Sequence, residues 1–136
     1  MAASFLLEVV TPNRLVLSQE VEEITAPGVE GEFGVLPGHT PFFTTLRVGE
    51  VMYRAGKEQR YMAVTWGFVE VLPDRVTILA EAAELEDEID VERATRAKER
   101  AEERLKHLSP EDEEFYSSMG ALQRAINRLT VASRRR

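Results

Sequence analysis

Several arginines of this chain recur at helical spacing, and their type and pattern could serve to bind an anionic ligand. Arg93 and Arg100 are seven residues apart, and Arg124 and Arg128 are four apart. Residues at such intervals share one face of a helix. A guanidinium presents a planar fork of N–H donors that suits phosphate oxygens, so converging arginines could bind a polyanion. Arginines interleaved with glutamates are also typical of a solvated helix supported by ion pairs, and this alternative stays open.

A catalytic or metal site has little support in the sequence. The 136 residues include no cysteine, and the two histidines, His39 and His107, are far apart. Neither a thiolate site nor a zinc site is therefore expected. No Ser/His/Asp arrangement or paired-carboxylate signature stands out, and the glycine-rich segment lacks the Lys-Ser/Thr of a phosphate-binding loop. We expect a protein that binds partners rather than an enzyme.

Charge and hydropathy exclude two further classes of partner. The net charge is −7, and residues 1–85 carry 12 acidic groups against 6 basic ones. Such a surface repels nucleic acid. Arg134, Arg135 and Arg136 end the chain, and we expect them to form a frayed, solvated terminus. No apolar run approaches the roughly 18–20 residues that span a bilayer. Residues 1–10 lack a basic n-region and contain Glu8, so we expect a soluble, cytoplasmic protein without a signal peptide.

The first 85 residues carry the pattern of short strands separated by turns. Strands are predicted at 5–10, 14–18 and 21–26, and two hairpins at 51–54 with 59–64 and at 68–71 with 75–80. Turn residues recur every 8–12 positions or so, which is typical of a sandwich or barrel. The N-terminal unit is therefore predicted to be a β domain.

The remaining residues, 86–136, change to helical periodicity. Helices are predicted at about 90–107 and 110–132, with Asp90 and Ser109 as N-caps and Pro110 at the first position of the second helix. A short break between such helices favours an antiparallel hairpin. The alanines bury little surface, which indicates a weakly held pair. The stripes expected to pack helix against helix are Ala94, Ala97, Ala101, Leu105, Leu108, and Phe115, Met119, Leu122, Ile126, Leu129.

A family resemblance rests on residues 28–41, which read G-V-E-G-E-F-G-V-L-P-G-H-T-P. This stretch resembles the G-x-x-G-x-x-G-V-L-P-G-H-x-P segment of the epsilon subunit of F-type ATP synthases. Residues 67–71, 76–81, 89–94 and 124–129 also match in the expected order, so the resemblance covers nearly the whole chain. One departure is Trp66, because the family usually carries glycine before Gly67.

The resemblance implies an antiparallel β-sandwich of about ten strands followed by a C-terminal helical hairpin. It implies a non-catalytic rotor subunit in which the sandwich grips the gamma subunit and rests on the c-ring, coupling ion flow to ATP synthesis. The helices would either lie against the sandwich or extend towards the alpha and beta subunits, where they would oppose ATP hydrolysis. The subunit would lie peripherally at the cytoplasmic face of the bacterial cell membrane, without inserting into it.

Two groups of site residues follow from the resemblance. Glu32 occupies the position that faces the polar loop of a c subunit, and His39 lies near the same surface; the plain alternatives are a solvated turn carboxylate and a structural histidine. No cofactor is required, but the chain resembles the bacterial kind that binds ATP as a regulatory ligand. A stand-alone ATP sensor with the same fold is the alternative. The implied ATP-binding residues are Glu84, Ile89, Asp90, Arg93, Ala94, Arg100, Arg124 and Arg128.

Overall fold

The computed structural model describes residues 3–135 and divides the chain into two compact units, one up to Leu85 and one from Glu86 onward. The first unit contains strands and the second contains two helices, so the predicted fold class is confirmed. The strands are β1 Phe5–Val10, β2 Leu15–Val21, β3 Glu23–Gly28, β4 Gly31–Val35, β5 Phe42–Leu46, β6 Gly49–Ala55, β7 Glu58–Leu72 and β8 Arg75–Leu85. The helices are α1 Val91–Leu105 and α2 Glu113–Ala132.

The β7 strand runs through both layers of the sandwich. Its first half pairs with β6 from Glu58 to Val64, and its second half pairs with β5 from Gly67 to Val71. The backbone turns between the halves, where Trp66 has a φ of 35° and Gly67 a φ of 156°. Strands that switch layers commonly do so at an irregularity of this kind. Residues 59–64 and 68–71, predicted as separate strands, therefore belong to one strand.

The strand count and one pairing differ from what the resemblance implies. The described residues form eight strands rather than about ten, partly because β7 unites two predicted strands. The pairing of β1 with β8 is parallel, from Leu6 opposite Arg75 to Val10 opposite Leu79, while the other pairings are antiparallel. A parallel pair needs a long connection, and here most of the β unit separates the two strands.

The core lies between the two layers and is mostly aliphatic. In β1 the buried residues Phe5, Leu7 and Val9 alternate with partly exposed ones, the two-residue period of a strand with one face inward. Burial of such a side chain stabilises the fold by about 1.5–3 kcal/mol. The largest fully buried side chains are Leu7, Ile24, Met62, Ile78, Val9, Val21, Val35, Val51, Val64, Val69, Val71 and Val76.

The two helices begin differently from each other. The carboxylate of Asp90 accepts a hydrogen bond from the backbone N–H of Arg93 at 3.0 Å, so the predicted N-cap of α1 is confirmed. The prediction that Ser109 caps α2 is wrong, because α2 begins at Glu113 with Asp112 at the N-cap. The Asp112 carboxylate instead accepts the backbone N–H of Ser109 at 2.7 Å, which holds the segment before α2 in a turn.

Of the five apolar residues predicted to pack along α2, Phe115, Leu122 and Leu129 are half-buried and the other two are exposed. Ser118 and Ala125 are buried, whereas Met119 and Ile126 are 46% and 44% exposed. The predicted apolar stripe of α2 is therefore wrong at these two positions. In α1, Ala94 and Ala101 are buried, and small side chains on both helices allow the backbones to approach closely. Within residues 3–135, no helix has the length and apolar character needed to cross a bilayer.

Candidate functional site

Glu32 lies on an exposed edge of the glycine-rich segment. It belongs to β4, which pairs with β3 so that Glu32 is opposite Pro27 and Gly31 is opposite Gly28. The side chain is exposed and forms no ion pair with any residue in the range 3–135. Gly31 has a φ of 129°, a conformation that glycine adopts without strain. The carboxylate is thus presented to solvent next to a tight turn.

His39 is part of the turn between β4 and β5. Its Nδ1 atom lies 2.6 Å from the carbonyl oxygen of Thr40, so this nitrogen carries a proton and donates it. Its backbone N–H donates to the carbonyl of Leu36 at 3.2 Å, and that of Gly38 donates to Pro73 at 3.2 Å. These bonds give His39 a structural role in the same segment that carries Glu32.

An apolar groove of about 640 Å³ on the β unit was not predicted from the sequence. Its lining combines the layer-switching point of β7 with the facing parts of β1 and β8. Trp66, Phe68 and Leu79 are each about half exposed there, although they are large hydrophobic residues. Exposed apolar surface of this extent is typical of a protein interaction site. The lining residues are Val10, Thr11, Pro12, Trp66, Gly67, Phe68, Leu79, Ala80 and Glu81.

Strand register places the apolar residues of the groove in one row. Phe68 is opposite Thr45 and Leu79, and Leu79 is opposite Val10. Phe43, exposed on β5, stacks on Phe68 with ring centroids 5.7 Å apart. This row lies on the outward side of the sheet, because the neighbouring Val9, Val69 and Ile78 are buried in the core.

Carboxylates border this row on the same strands. Glu8, Glu70 and Glu81 each stand two residues from an apolar member of the row, and side chains two apart share a face of a strand. None of the three forms an ion pair with another residue of the described chain. The groove is therefore an apolar surface with an acidic border.

A signal for this groove is present in the sequence. β7 and β8 place large apolar residues next to each other, as in Phe68-Val69 and Ile78-Leu79, instead of alternating them with polar ones. Adjacent apolar residues in a strand indicate that both faces are covered. Their β propensity alone predicts a strand and does not indicate the second, outward face of the sheet.

The arginines implied to bind ATP are presented on the surfaces of the two helices. Arg93, Arg100 and Arg124 are exposed, and none of them forms an ion pair with a residue of the described chain. Arg128 is half-buried and follows Arg124 by one helical turn. A side chain at Gly120 would lie 3.3 Å from an Nη1 atom of Arg124, so the guanidinium folds back along α2.

The other implied ATP-binding residues have local structural roles. Ile89 is buried, Asp90 caps α1, and Ala94 is buried on the same helix. Glu84 is half-buried near the end of β8, opposite Ala63, and it belongs to the first unit, whereas the other seven residues belong to the second. The structure thus brings Ile89, Asp90, Arg93 and Ala94 together at the start of α1.

A small cavity of about 210 Å³ lies between α1 and α2. Its polar lining consists of Arg100, Arg104, Ser117 and Ser118. Pockets that hold drug-sized ligands are larger, about 300–1,000 Å³. This cavity is therefore smaller than such pockets. Residues 3–135 contain no group of three or more histidine or acidic side chains placed to hold a metal ion.

The expectation of a frayed C-terminus is wrong for Arg135. Its Nε atom donates to the carbonyl oxygen of Glu86 at 2.7 Å, and its Nη2 atom donates to the carbonyl of Ile89. Its backbone N–H also donates to Ala132 at 3.1 Å. Arg136 lies outside the described residues.

Comparison with known proteins covers both units. The model of the beta-sandwich domain of the ATP synthase Delta/Epsilon chain matches residues 4–86, and the model of its long alpha-helix domain matches residues 87–133. The ATP synthase epsilon chain 2 of Syntrophotalea carbinolica is 56% identical over 134 residues, covering 98% of this chain and 97% of that protein. The ATP synthase epsilon chain of Geotalea uraniireducens is 54% identical over the same shares.

Solved structures agree with the sequence comparison. A chain in the OSCP/F1/c-ring structure of the Euglena gracilis mitochondrial ATP synthase superposes with a TM-score of 0.77 and 29% identity, over 89% of this chain and 76% of that one. A chain of the Tetrahymena thermophila mitochondrial ATP synthase central stalk and c-ring has a TM-score of 0.55, 13% identity, and coverage of 96% and 95%. At that identity, the second match shows the fold alone.

Proposed function

We propose a rotor function for this chain on the premise that it belongs to the ATP synthase delta/epsilon chain family, as an epsilon chain of the central stalk without catalytic activity of its own. In this function the β unit binds the gamma subunit and rests on the c-ring, and it couples ion flow to ATP synthesis. The chain then works as a peripheral component at the cytoplasmic face of the bacterial cell membrane.

The observation that carries this proposal is the apolar groove of the β unit. An obligate contact in a rotating shaft needs a large apolar area to hold it, and Trp66, Phe68 and Leu79 offer such an area. Aromatic residues at the centre of an interface contribute most of the binding energy in many complexes. The acidic border favours a gamma segment whose own border is basic, since complementary charge speeds association and selects partners.

Co-purification with gamma tests this assignment. A tagged native chain should recover the gamma subunit, and Leu79→Asp should reduce recovery at least about tenfold because a buried, unpaired charge costs several kcal/mol. Tyr116→Ser is a matched control, because Tyr116 is 69% exposed but lies on α2 in the other unit. A native chain that never recovers gamma, alpha or beta would favour the stand-alone ATP sensor.

For the c-ring contact, we propose Glu32 as the polar contact residue, with His39 ordering the adjacent turn. The exposed carboxylate without an ion pair supports this role, since it is available to a basic group of a c subunit. Glu32→Gln should weaken ion-coupled ATP synthesis while leaving gamma recovery unchanged. His39→Asn should act indirectly, through the stability of the turn. Equal coupling in native and Glu32→Gln complexes would contradict the contact.

We further propose that the second unit opposes ATP hydrolysis by reaching the alpha and beta subunits. The helices pack through small residues, Ala94, Ala101, Ser118 and Ala125, and such an interface buries little apolar surface and separates at modest cost. Removing residues 87–136 should keep the assembled complex intact and raise its ATPase activity. Unchanged hydrolysis, measured with and without added ATP regeneration, would contradict an inhibitory arm.

ATP is proposed as a regulatory ligand of the same unit. Three exposed arginines without ion pairs, Arg93, Arg100 and Arg124, can offer their guanidinium forks to phosphate oxygens. The set that the resemblance implies also includes Ile89, Asp90, Ala94 and Arg128 of this unit, and Glu84, which belongs to the first unit. The acidic members cannot attract phosphate, so they would accept donors from adenine or ribose or orient the arginines. The absence of a phosphate-binding loop in the sequence means binding without hydrolysis.

A thermal-shift titration of the isolated chain tests ATP binding. A ligand present at 100 times its Kd stabilises the folded state by about 2.7 kcal/mol, so millimolar ATP should raise the Tm clearly. Arg93→Ala should lose most of this shift. Arg96→Ala is the matched control, because Arg96 is exposed on the same helix and pairs with Glu92 at 3.8 Å. No shift of the native chain at millimolar ATP would refute the proposal.

A further inference from the structure

Arg135 bridges the two ends of the helical unit. Its guanidinium donates to the carbonyl oxygens of Glu86 and Ile89, which both precede α1, although Arg135 itself follows α2. We propose that Arg135 is a clasp that holds the open end of the hairpin together. The clasp is separate from the contacts assigned to gamma, the c-ring and ATP phosphate.

The carbonyl of Ile89 is available because of the way α1 begins. In a regular helix the N–H of Arg93 would donate to this carbonyl, but here it donates to the Asp90 side chain. The next N–H, that of Ala94, donates to the carbonyl of Asp90 at 3.0 Å. The Ile89 carbonyl therefore lies just outside the helical ladder. A planar guanidinium with several donors can reach it and the Glu86 carbonyl at once.

Arg135 is held in position by the end of α2. The backbone N–H of Arg134 donates to Val131 at 2.9 Å, and that of Arg135 donates to Ala132 at 3.1 Å. Val131 and Ala132 are buried, so the last turn of α2 is anchored rather than frayed. The guanidinium consequently extends from an ordered segment.

The open end is where such a clasp has the most effect. At the other end the helices are joined covalently by residues 106–112, and Arg104 pairs with Glu114 there. Between the ends, small side chains such as Ala97, Ala101 and Ser118 line a cavity between the helices. Breaking the bonds of Arg135 removes the two side-chain hydrogen bonds that tie the end of α2 to the segment before α1.

The natural absence of cysteine makes a distance measurement direct. Glu92 and Thr130 are exposed positions near the open end of α1 and α2, respectively. Spin labels attached to Glu92→Cys and Thr130→Cys in the full chain report the distance between the helix ends by pulsed electron paramagnetic resonance. The loss of two hydrogen bonds from a charged donor should raise the separated population at least about tenfold in Arg135→Gln. Arg135→Lys should give an intermediate rise, because an ammonium keeps the charge but not the planar fork.

Lys57→Ala is the matched control for charge, since Lys57 is exposed in the turn between β6 and β7. It should give the native distance distribution. The proposal is overturned when Arg135→Gln and Arg135→Lys both keep that distribution. Should Arg135→Gln lose helical circular dichroism, the Arg135→Lys distribution decides: a longer separation supports the clasp, and the native one refutes it.

Discussion

Gly67 is the position where the structure predicts the largest effect of adding a single methyl group. A Cβ atom there would lie 1.9 Å from the carbonyl oxygen of Leu79 and 2.9 Å from the Cα atom of Ala80. Both are backbone atoms of β8, so neither can move aside as a flexible side chain would. The φ of 156° is also one that residues with a side chain rarely adopt.

The magnitude for Gly67→Ala follows from two contributions. A strained backbone conformation costs about 1–3 kcal/mol. Overpacking against a fixed neighbour costs about 1–3 kcal/mol more. Together they predict that the free energy of unfolding falls by roughly 2–6 kcal/mol, a large share of the about 5–15 kcal/mol that a typical domain has.

Two other glycines separate these contributions. Gly56 has a φ of 64°, and no atom lies within 4 Å of the place that an added methyl group would take, so Gly56→Ala should cost only the conformational part, about 1–2 kcal/mol. Gly34 has 3.7 Å to its nearest neighbour, the carbonyl oxygen of Ile24, and an ordinary φ, so Gly34→Ala should change stability by less than about 1 kcal/mol.

The assay is urea unfolding of the full chain. The fluorescence of Trp66, the single tryptophan, reports the β unit, and circular dichroism serves as a second probe because Trp66 adjoins the altered residue. The expected order of destabilisation is Gly67→Ala, then Gly56→Ala, then Gly34→Ala. A Gly67→Ala variant no less stable than Gly56→Ala would refute the close approach of β7 and β8.

The remaining predictions concern polar contacts. Hydrogen bonds from the Arg54 guanidinium at 2.7 Å and the Gly56 N–H at 3.0 Å lower the pKa of Glu22. Their stabilising effect is present above the ordinary carboxylate pKa and is lost as the pH falls through the lowered pKa, so stability of Glu22→Gln should decline less on acidification than that of the native chain; parallel curves would contradict this. Asp90→Ala should destabilise α1 by about 1 kcal/mol in thermal unfolding, whereas Asp90→Asn, which keeps a capping oxygen, should cost less. Arg104→Ala should cost no more than about 1 kcal/mol, because both partners of its pair with Glu114 are 60% exposed.

Periodicity was sufficient to predict a β unit followed by a helical hairpin, because it depends on which face of each element avoids water. The change from strand to helix spacing after residue 85 predicted both units, and Asp90 was predicted as a cap because its bond is made within three residues. Ser109 does not cap α2, because its N–H donates to the Asp112 carboxylate and its carbonyl accepts the N–H of Asp112 at 2.9 Å, so residues 109–112 form a turn and the helix begins after it. Both Ser109 and Asp112 are residue types that favour the N-cap, and the fold of the turn places Asp112 there.

The packing face of α2 could not be predicted from hydrophobicity. Apolar spacing selects Met119 and Ile126 for the interface, because they have the most surface to bury. Close approach of two helices instead favours Ser118 and Ala125, since large side chains would hold the backbones apart. The distance between α1 and α2 therefore decides the face, and this distance is a property of the pair rather than of either helix alone.

The groove shows a similar limit for the β unit, and it also gives a reason for Trp66. The row of Phe68 and Leu79 becomes visible only through the register of β7 and β8, although adjacent apolar residues in each strand indicated it. At Trp66 the left-handed φ of 35° costs about 1–3 kcal/mol that a glycine would not incur. Under the proposed function this cost is offset in the complex, because a half-exposed indole in an apolar groove gains most of its burial when gamma covers it. Trp66 then accounts both for the backbone strain of the free chain and for part of its affinity for gamma in the assembled rotor.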